Sequence, residues 1–221
     1  YSGRATAQAN TAADEEFAAG RLDLGQGAFA LHLDGFHRRT NDYDIPGQAA
    51  LYPEGEHEGE EEHSDESSND GTLENSFLKN RGGTIGVSWI GEQWRLGVAY
   101  NEYNADYGIP GGGHEEEHDE DEHGDEEHSE EEEGPVTIRL RTERTEAEVA
   151  GSNPLPGFEQ FKVRFVNTNY KHTEFEGDEV GTVFESDSTN TRAELKHNSW
   201  GAWQGVFGFE CPTQVVGCLQ Q

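Results

Sequence analysis

The sequence of 221 residues has a formal net charge of −31, with 46 acidic residues against 15 Lys and Arg. This charge argues against nucleic acid as a partner and favours cations, because the phosphate backbone attracts basic surfaces. Two cysteines are too few for a disulfide scaffold, and no apolar run is long enough for a transmembrane helix.

The N-terminal part of the chain predicts a β-hairpin. Residues 1–16 are small and polar and predict no element. Alternation of apolar and polar residues then predicts strands over residues 17–24 and 28–40, with a tight turn at residues 25–27. The second strand is expected to end at residues 42–47, where a proline interrupts the hydrogen-bond ladder.

The rest of the chain predicts further antiparallel strands, about eight in all, joined as an up-and-down meander. The six additional strands begin near Thr84, Trp94, Val136, Phe161, Thr191 and Trp203. Turns near residues 25, 92, 154 and 199 are short, and connections at residues 41–80, 108–135 and 175–182 are longer. Between Arg141 and Arg144 the apolar phase slips, which predicts a bulge or the end of the buried zone.

Two acidic, histidine-rich segments, residues 48–75 and 111–135, are expected to be long loops, because they cannot bury enough apolar surface to offset chain entropy. The stretches 54–70 and 114–133 hold half of the acidic residues and no Lys or Arg. Imidazole and carboxylate together suit divalent metals such as zinc. The predicted ligands are His114, His118, His123, His128, Glu117 and Asp121 in one segment and His57 and His63 in the other.

Each of these features also has a simpler interpretation. A charged segment of this kind can serve only as a solvated surface, although four histidines spaced four or five residues apart favour metal capture. His32 and Asp34 share one face of a strand and are candidates for a ligand pair on a transport path, yet polar residues are common in a lumen. His172 and His197 are interpreted as ordinary residues near strand ends.

A repeated hexapeptide, Asp-Tyr-x-Ile-Pro-Gly, precedes both acidic segments at residues 42–47 and 106–111, and we interpret it as a strand terminator. The apolar faces of the strands are thin, the opposite faces are charged, and aromatic residues gather near strand ends. This combination, with short turns at one end and long loops at the other, is typical of an outer-membrane β-barrel.

Several segments resemble TonB-dependent outer-membrane receptors. Residues 35–47 are similar to a barrel strand entering an extracellular loop, and residues 169–177 and 205–208 are similar to other barrel strands. Residues 97–111, followed by the histidine-rich segment, resemble the zinc-uptake (ZnuD-like) branch of that family. The resemblance covers roughly residues 15 to 210.

The resemblance implies a section of a transmembrane barrel, which has about 22 strands in the family. It implies a Gram-negative outer membrane, extracellular acidic loops, contact with membrane lipid, zinc as the transported or bound ion, and the TonB complex as partner through an N-terminal plug.

We therefore expect a poorly defined start at residues 1–16, a partial barrel at 17–210 and a divergent tail at 211–221 that departs from the strand-then-loop pattern. The absence of methionine predicts a processed chain or an internal fragment, and the tail predicts a truncated or frame-shifted end. No targeting segment is visible.

Two alternatives remain open. The first alternative to a zinc receptor is a receptor of the same family for a siderophore or haem. The second is a soluble acidic β-protein that buffers zinc or calcium without transport. Enzymatic chemistry finds no support, since the sequence lacks a nucleophile elbow, a phosphate loop and a His-Glu-x-x-His motif. No catalytic cofactor is expected.

Overall fold

The computed structural model of the protein describes residues 1–48, 70–111 and 134–220. Over these ranges the chain forms eleven β-strands and no helix, which confirms the all-β prediction. The strands are β1 (Ser2–Asn10), β2 (Glu15–Gln26), β3 (Phe29–Thr40), β4 (Tyr43–Gln48), β5 (Asp70–Leu73), β6 (Leu78–Ile90), β7 (Trp94–Gly108), β8 (Val136–Ser152), β9 (Phe158–Glu176), β10 (Glu179–His197) and β11 (Val206–Gln220).

Nine strands form one antiparallel sheet in the order β1-β2-β3-β6-β7-β8-β9-β10-β11, which confirms the predicted meander. The strands β4 and β5 pair only with each other, between β3 and β6 in the chain. The sheet is open, because β1 and β11 are its edges and no pairing joins them within the described ranges. The sequence predicted eight of the nine sheet strands. It missed β1, in which Ala5, Ala7 and Ala9 alternate with polar residues but no large apolar side chain is present. The backbone of β1 pairs with β2 along its full length.

The last strand differs from the expected tail. Pairing of β11 with β10 runs without a register shift from Val206 to Gln220, through the residues that the sequence did not predict as strand. Pro212 lies within this strand, opposite Asn190. An edge strand uses only one side of its backbone for pairing, so it tolerates the missing N–H of a proline.

One face of the sheet, the belt face, carries the apolar residues nearest the short turns. The registers place these residues directly opposite one another in rows across the strands. One such row consists of Leu31, Val87, Val98, Ala147 and Phe165. No second layer covers these side chains in the described part of the chain: Ile85 is 53% exposed, Val98 49% and Phe209 64%.

The opposite face, the network face, carries most of the polar and charged residues of the strands and also the small buried core. Of the five buried apolar residues, Ala105, Val136, Ile138 and Ala150 lie on this face, and Ala13 lies in the turn between β1 and β2. Ala105, Val136 and Ile138 lie near the end that carries the long connections (the loop end), whereas Ala150 lies near the short turns.

The phase slip predicted near Arg141 is not a bulge. The register of β8 with both neighbours is continuous from Thr137 to Gly151. The apolar residues change face instead. Ile138 packs on the network face at the loop end, whereas Val149 points to the belt face near the turns. Of the two alternatives that the phase slip predicted, the bulge is wrong. The other, the end of an apolar zone, agrees with the structure, because the strand crosses two apolar zones on opposite sides of the sheet.

The connections differ from the predictions at two places. Residues 175–182 do not form a long loop, because β9 ends at Glu176 and β10 begins at Glu179. The first hexapeptide does not stop strand structure: most of it lies in β4, where the register shift between Asp44 and Gln48 leaves its proline outside regular pairing. Both hexapeptides end in a glycine with positive φ, Gly47 at 102° and Gly111 at 65°, a backbone conformation that favours glycine.

Three glycines lie directly opposite one another on the belt face, where they separate the apolar rows from the loop end. They are Gly20 on β2, Gly35 on β3 and Gly83 on β6. A Cβ atom on Gly83 would lie 2.7 Å from the carbonyl oxygen of Asp34, whereas a Cβ on Gly20 would meet nothing within 4 Å. Close approach of two backbones therefore requires glycine at position 83.

Candidate functional site

The predicted metal ligands of the two acidic segments lie outside the described residues. They are His57, His63, His114, Glu117, His118, Asp121, His123 and His128. As metal ligands they stay predictions. The structure does describe the strands and turns from which both segments emerge.

Both acidic segments leave and rejoin the chain at the loop end of the sheet, and one side chain joins their stems. Asn75, the last residue of the first segment, donates from Nδ2 to the carbonyl oxygens of Ile109 (3.0 Å) and Val136 (2.7 Å). These two residues flank the second segment, and Ile109 N also donates to Val136 O at 3.0 Å. These hydrogen bonds hold both residues that flank the second segment against the C-terminal end of the first segment.

The candidate pair His32 and Asp34 comes together on the network face, with a partner that sequence reasoning missed. His32 is directly opposite Asp23 on β2. Its Nδ1 lies 2.7 Å from Asp23 Oδ1, and its Nε2 lies 2.7 Å from Asp34 Oδ2. The second oxygen of Asp23 accepts hydrogen bonds from Arg21 Nε (2.8 Å) and Ser2 Oγ (3.1 Å).

These two contacts determine which protonation state of the His32 imidazole fits the structure. Both ring nitrogens face carboxylate oxygens, and both can donate only when the imidazole is protonated. A protonated ring has no lone pair for a metal. In this arrangement His32 therefore acts as a cation between Asp23 and Asp34. Binding of a metal by His32 and Asp34 would require one of these hydrogen bonds to break, and that role stays a prediction.

Next to His32 the network face has a floor of small side chains. The floor belongs to β6 and β7 and consists of Gly86, Ser88, Gly97 and Ala99. A depression of about 480 Å³ lies above it. Because glycine, alanine and serine project little from the sheet, the space between the charged side chains of β3 and β8 remains open.

The far wall of this depression is a network of charges centred on Glu148 of β8. Its carboxylate lies 2.6 Å from Arg95 Nη2, 3.1 Å from Lys162 Nζ and 3.8 Å from Arg164 Nε. Arg164 also lies 3.5 Å from Glu146. The depression therefore has a histidine held between carboxylates on one side and interleaved cations and carboxylates on the other. Apolar side chains, Leu24, Leu31 and Ile90 among them, also line the depression.

The sequence contains a signal for this network, in the spacing of the charged residues on β8 and β9. Glu146 and Glu148 share one parity on β8, and Lys162 and Arg164 share one parity on β9. Cross-strand pairing of opposite charges on one face is a common source of sheet stability. Recognising it requires the register, which places Glu148 directly opposite Arg164.

The two remaining histidines of interest pack as the sequence suggested. The ring of His172 stacks on Phe184 with centroids 5.3 Å apart, and its Nδ1 shares a 3.0 Å hydrogen bond with the Tyr170 hydroxyl. The buried His197 stacks on Trp200 at 4.3 Å and donates from Nδ1 to its neighbour's carbonyl oxygen at 2.7 Å. These contacts give both rings packing roles at the two ends of the sheet.

In the described ranges, no group of three or more His, Cys, Asp or Glu is arranged to hold a metal ion. The same ranges contain no helix that is both long and apolar enough to cross a membrane. No protein-family model matches the sequence.

Proposed function

We propose that this chain is part of an outer-membrane, TonB-dependent receptor that takes up zinc or a related metal. In this proposal the belt face contacts lipid, the network face lines the lumen, and the acidic segments capture cations outside the cell. The observation that carries the proposal is the belt itself. Apolar side chains cover one face of neighbouring strands in register, and they remain exposed.

The belt favours a membrane over water as the surroundings of this face. A soluble monomer rarely exposes a large contiguous apolar patch. The strands also have the required length: β6 to β10 contain 13 to 19 residues, and a tilted strand needs about 9–11 to cross the hydrocarbon. A soluble β-protein with these strands would bury the apolar face in a closed core, and the described ranges contain no layer that covers it.

Aromatic residues support the same orientation. Trp89, Trp94, Trp200 and Trp203 all lie near the short turns and are exposed. Tryptophan is enriched where a membrane meets water, because its ring is apolar and its N–H is polar. In this proposal the turn end lies at one membrane interface, and the acidic segments leave the sheet at the other.

Membrane location is tested by fractionating cells that express the gene product containing this chain. We expect it in the outer-membrane fraction, extracted by detergent and not by alkaline carbonate. Recovery in the soluble fraction without detergent would contradict the proposal and favour a soluble metal buffer.

Metal capture is tested by calorimetry with zinc on the full chain in detergent at pH 7 and pH 5. We expect binding at pH 7 that is largely lost at pH 5, because protonated imidazole cannot bind a metal. Alanine at His114, His118, His123 and His128 together should remove most of the binding, whereas the matched control His172→Gln should leave it intact. Equal binding by the wild type and the fourfold variant would show that this histidine segment does not capture the metal.

A further inference from the structure

Three basic side chains and a histidine form an exposed cluster, the cationic cluster, on the belt face near the loop end. His37 and Arg39 lie on β3, and Arg81 and Lys79 lie directly opposite them on β6. All four are exposed. Like charges placed directly opposite each other on a sheet are destabilising, so this arrangement is costly without an anion nearby.

Within the described part of the chain, the cluster has no carboxylate partner of the kind that other cations on this face have. Among the described residues, no carboxylate lies within 4.0 Å of any of the four. The flanking acids are Glu16, opposite Arg39, Asp106, opposite Lys79, and Glu102, opposite Gly83. Glu102 lies 3.5 Å from Arg141. Glu16 makes no ion pair with Arg39, and Asp106 is held by Arg139 at 2.9 Å.

Elsewhere on the belt face, at a similar height, cations are neutralised in pairs. Lys171 Nζ lies 2.6 Å from Glu185 Oε1, and Arg141 Nη2 lies 2.7 Å from Glu143 Oε1. The cationic cluster is therefore a local property of β3 and β6 rather than a general property of this level of the sheet.

Directly next to the cluster, toward the short turns, the belt face has a notch and then the apolar rows. Gly35 and Gly83 form the floor of the notch, and Ile85 follows on β6. A depression of about 660 Å³ is lined by these residues together with His37 and Arg81, and on its β7 side by Tyr100 and Glu102. Along β3 and β6 the surface thus presents, in order, basic residues, two glycines and exposed apolar residues.

We propose that this cluster binds the phosphate of an anionic lipid headgroup, with the acyl chains lying along the apolar rows of the belt face. The inference rests on the proposed membrane location of that face. Arginine and lysine bind phosphate through charge-assisted hydrogen bonds. A free phosphate would satisfy the cations alone, whereas a phospholipid matches the cations, the notch and the adjoining apolar surface together.

The test measures lipid binding to the full chain in detergent micelles by native mass spectrometry, with phosphatidylglycerol and phosphatidylcholine as probes. The wild type should bind phosphatidylglycerol more tightly. The double variant Lys79→Gln with Arg81→Gln should weaken this binding about 30-fold, from the contribution of two basic residues at an anionic lipid surface. Binding of phosphatidylcholine should not change.

Matched controls separate this site from general charge effects. Lys171→Gln removes one cation at a similar height on the same face, but one already paired with Glu185, and it should leave phosphatidylglycerol binding unchanged. The charge-conserving variant Lys79→Arg with Arg81→Lys should retain most of the binding, which excludes misfolding as the cause of a loss.

The remaining outcomes would each overturn the inference. Equal binding of the two lipids, or an unchanged affinity in the double glutamine variant, would remove the headgroup site while leaving the membrane assignment standing. Complete competition by millimolar inorganic phosphate would identify a free-anion site instead. A chain that binds neither lipid would overturn the proposed membrane location as well.

Discussion

Gly83→Ala tests whether two backbones approach as closely as the sheet requires. The added Cβ would lie 2.7 Å from the carbonyl oxygen of Asp34 and 3.4 Å from the Cα atom of Gly35. Both obstacles are backbone atoms of a strand paired on either side, so neither can move as a side chain would. Overpacking of this kind costs about 1–3 kcal/mol of the free energy of unfolding.

Gly20→Ala is the matched control, because Gly20 belongs to the same row of glycines. Its added Cβ would meet nothing within 4 Å. An alanine there restricts the unfolded chain without a steric cost, which raises stability by about 0.4–1 kcal/mol. The two variants should therefore differ by roughly 1.5–4 kcal/mol, in opposite directions from the wild type.

The assay is guanidinium unfolding of the full chain in detergent micelles, followed by tryptophan fluorescence. The free energy of unfolding comes from the midpoint and the slope of the transition. Similar values for the two variants would refute the reasoning, since they would show that the glycines act only through chain entropy. A stabilised Gly83→Ala variant would show that β3 and β6 lie farther apart than the structure indicates.

Three further variants probe the network face and the aromatic end of the belt. His32→Leu leaves its two carboxylate partners without their shared cation, and we expect a loss of about 1–2 kcal/mol of stability in the same unfolding assay. Glu148→Gln should cost about 1 kcal/mol when unfolding is measured with urea, which is uncharged, in low salt, and the difference from the wild type should shrink in 1 M NaCl, because salt screens the charges that Glu148 pairs with. Gly151→Ala places a Cβ 2.6 Å from the indole of Trp94. Because the indole ring can move, we expect a red shift of the tryptophan emission and a stability loss below about 1 kcal/mol. An unchanged tryptophan emission would contradict the contact.

The strands of the sheet were largely predictable because alternation with period 2 depends on local sequence. Eight sheet strands were placed from this pattern, including both strands of the hairpin formed by β2 and β3. The alternation in β1 is carried only by alanines, at positions 5, 7 and 9, which give a weak apolar signal, and the strand was identified by its backbone pairing with β2. The prediction of a long loop at residues 175–182 was wrong for a related reason. Polar composition does not distinguish a loop from the ends of two strands joined by a tight turn.

The candidate site was only partly predictable. Sequence parity placed His32 and Asp34 on one face, and the structure keeps them there. It did not reveal Asp23, which reaches His32 from the neighbouring strand, nor the grouping of Glu148 with its cations across three strands. Contacts of this kind depend on register, which is a relation between strands rather than a property of either one.

The sequence by itself determined the all-β class, the alternating strands and the two acidic histidine segments, because these follow from local periodicity and composition. The tertiary structure alone decided which face each zone occupies. In β8 the apolar residues belong to the network face at Ile138 and to the belt face at Val149, without any change in register. Only the paired neighbours establish this, since the surroundings of a side chain are set by strands that are distant in the chain.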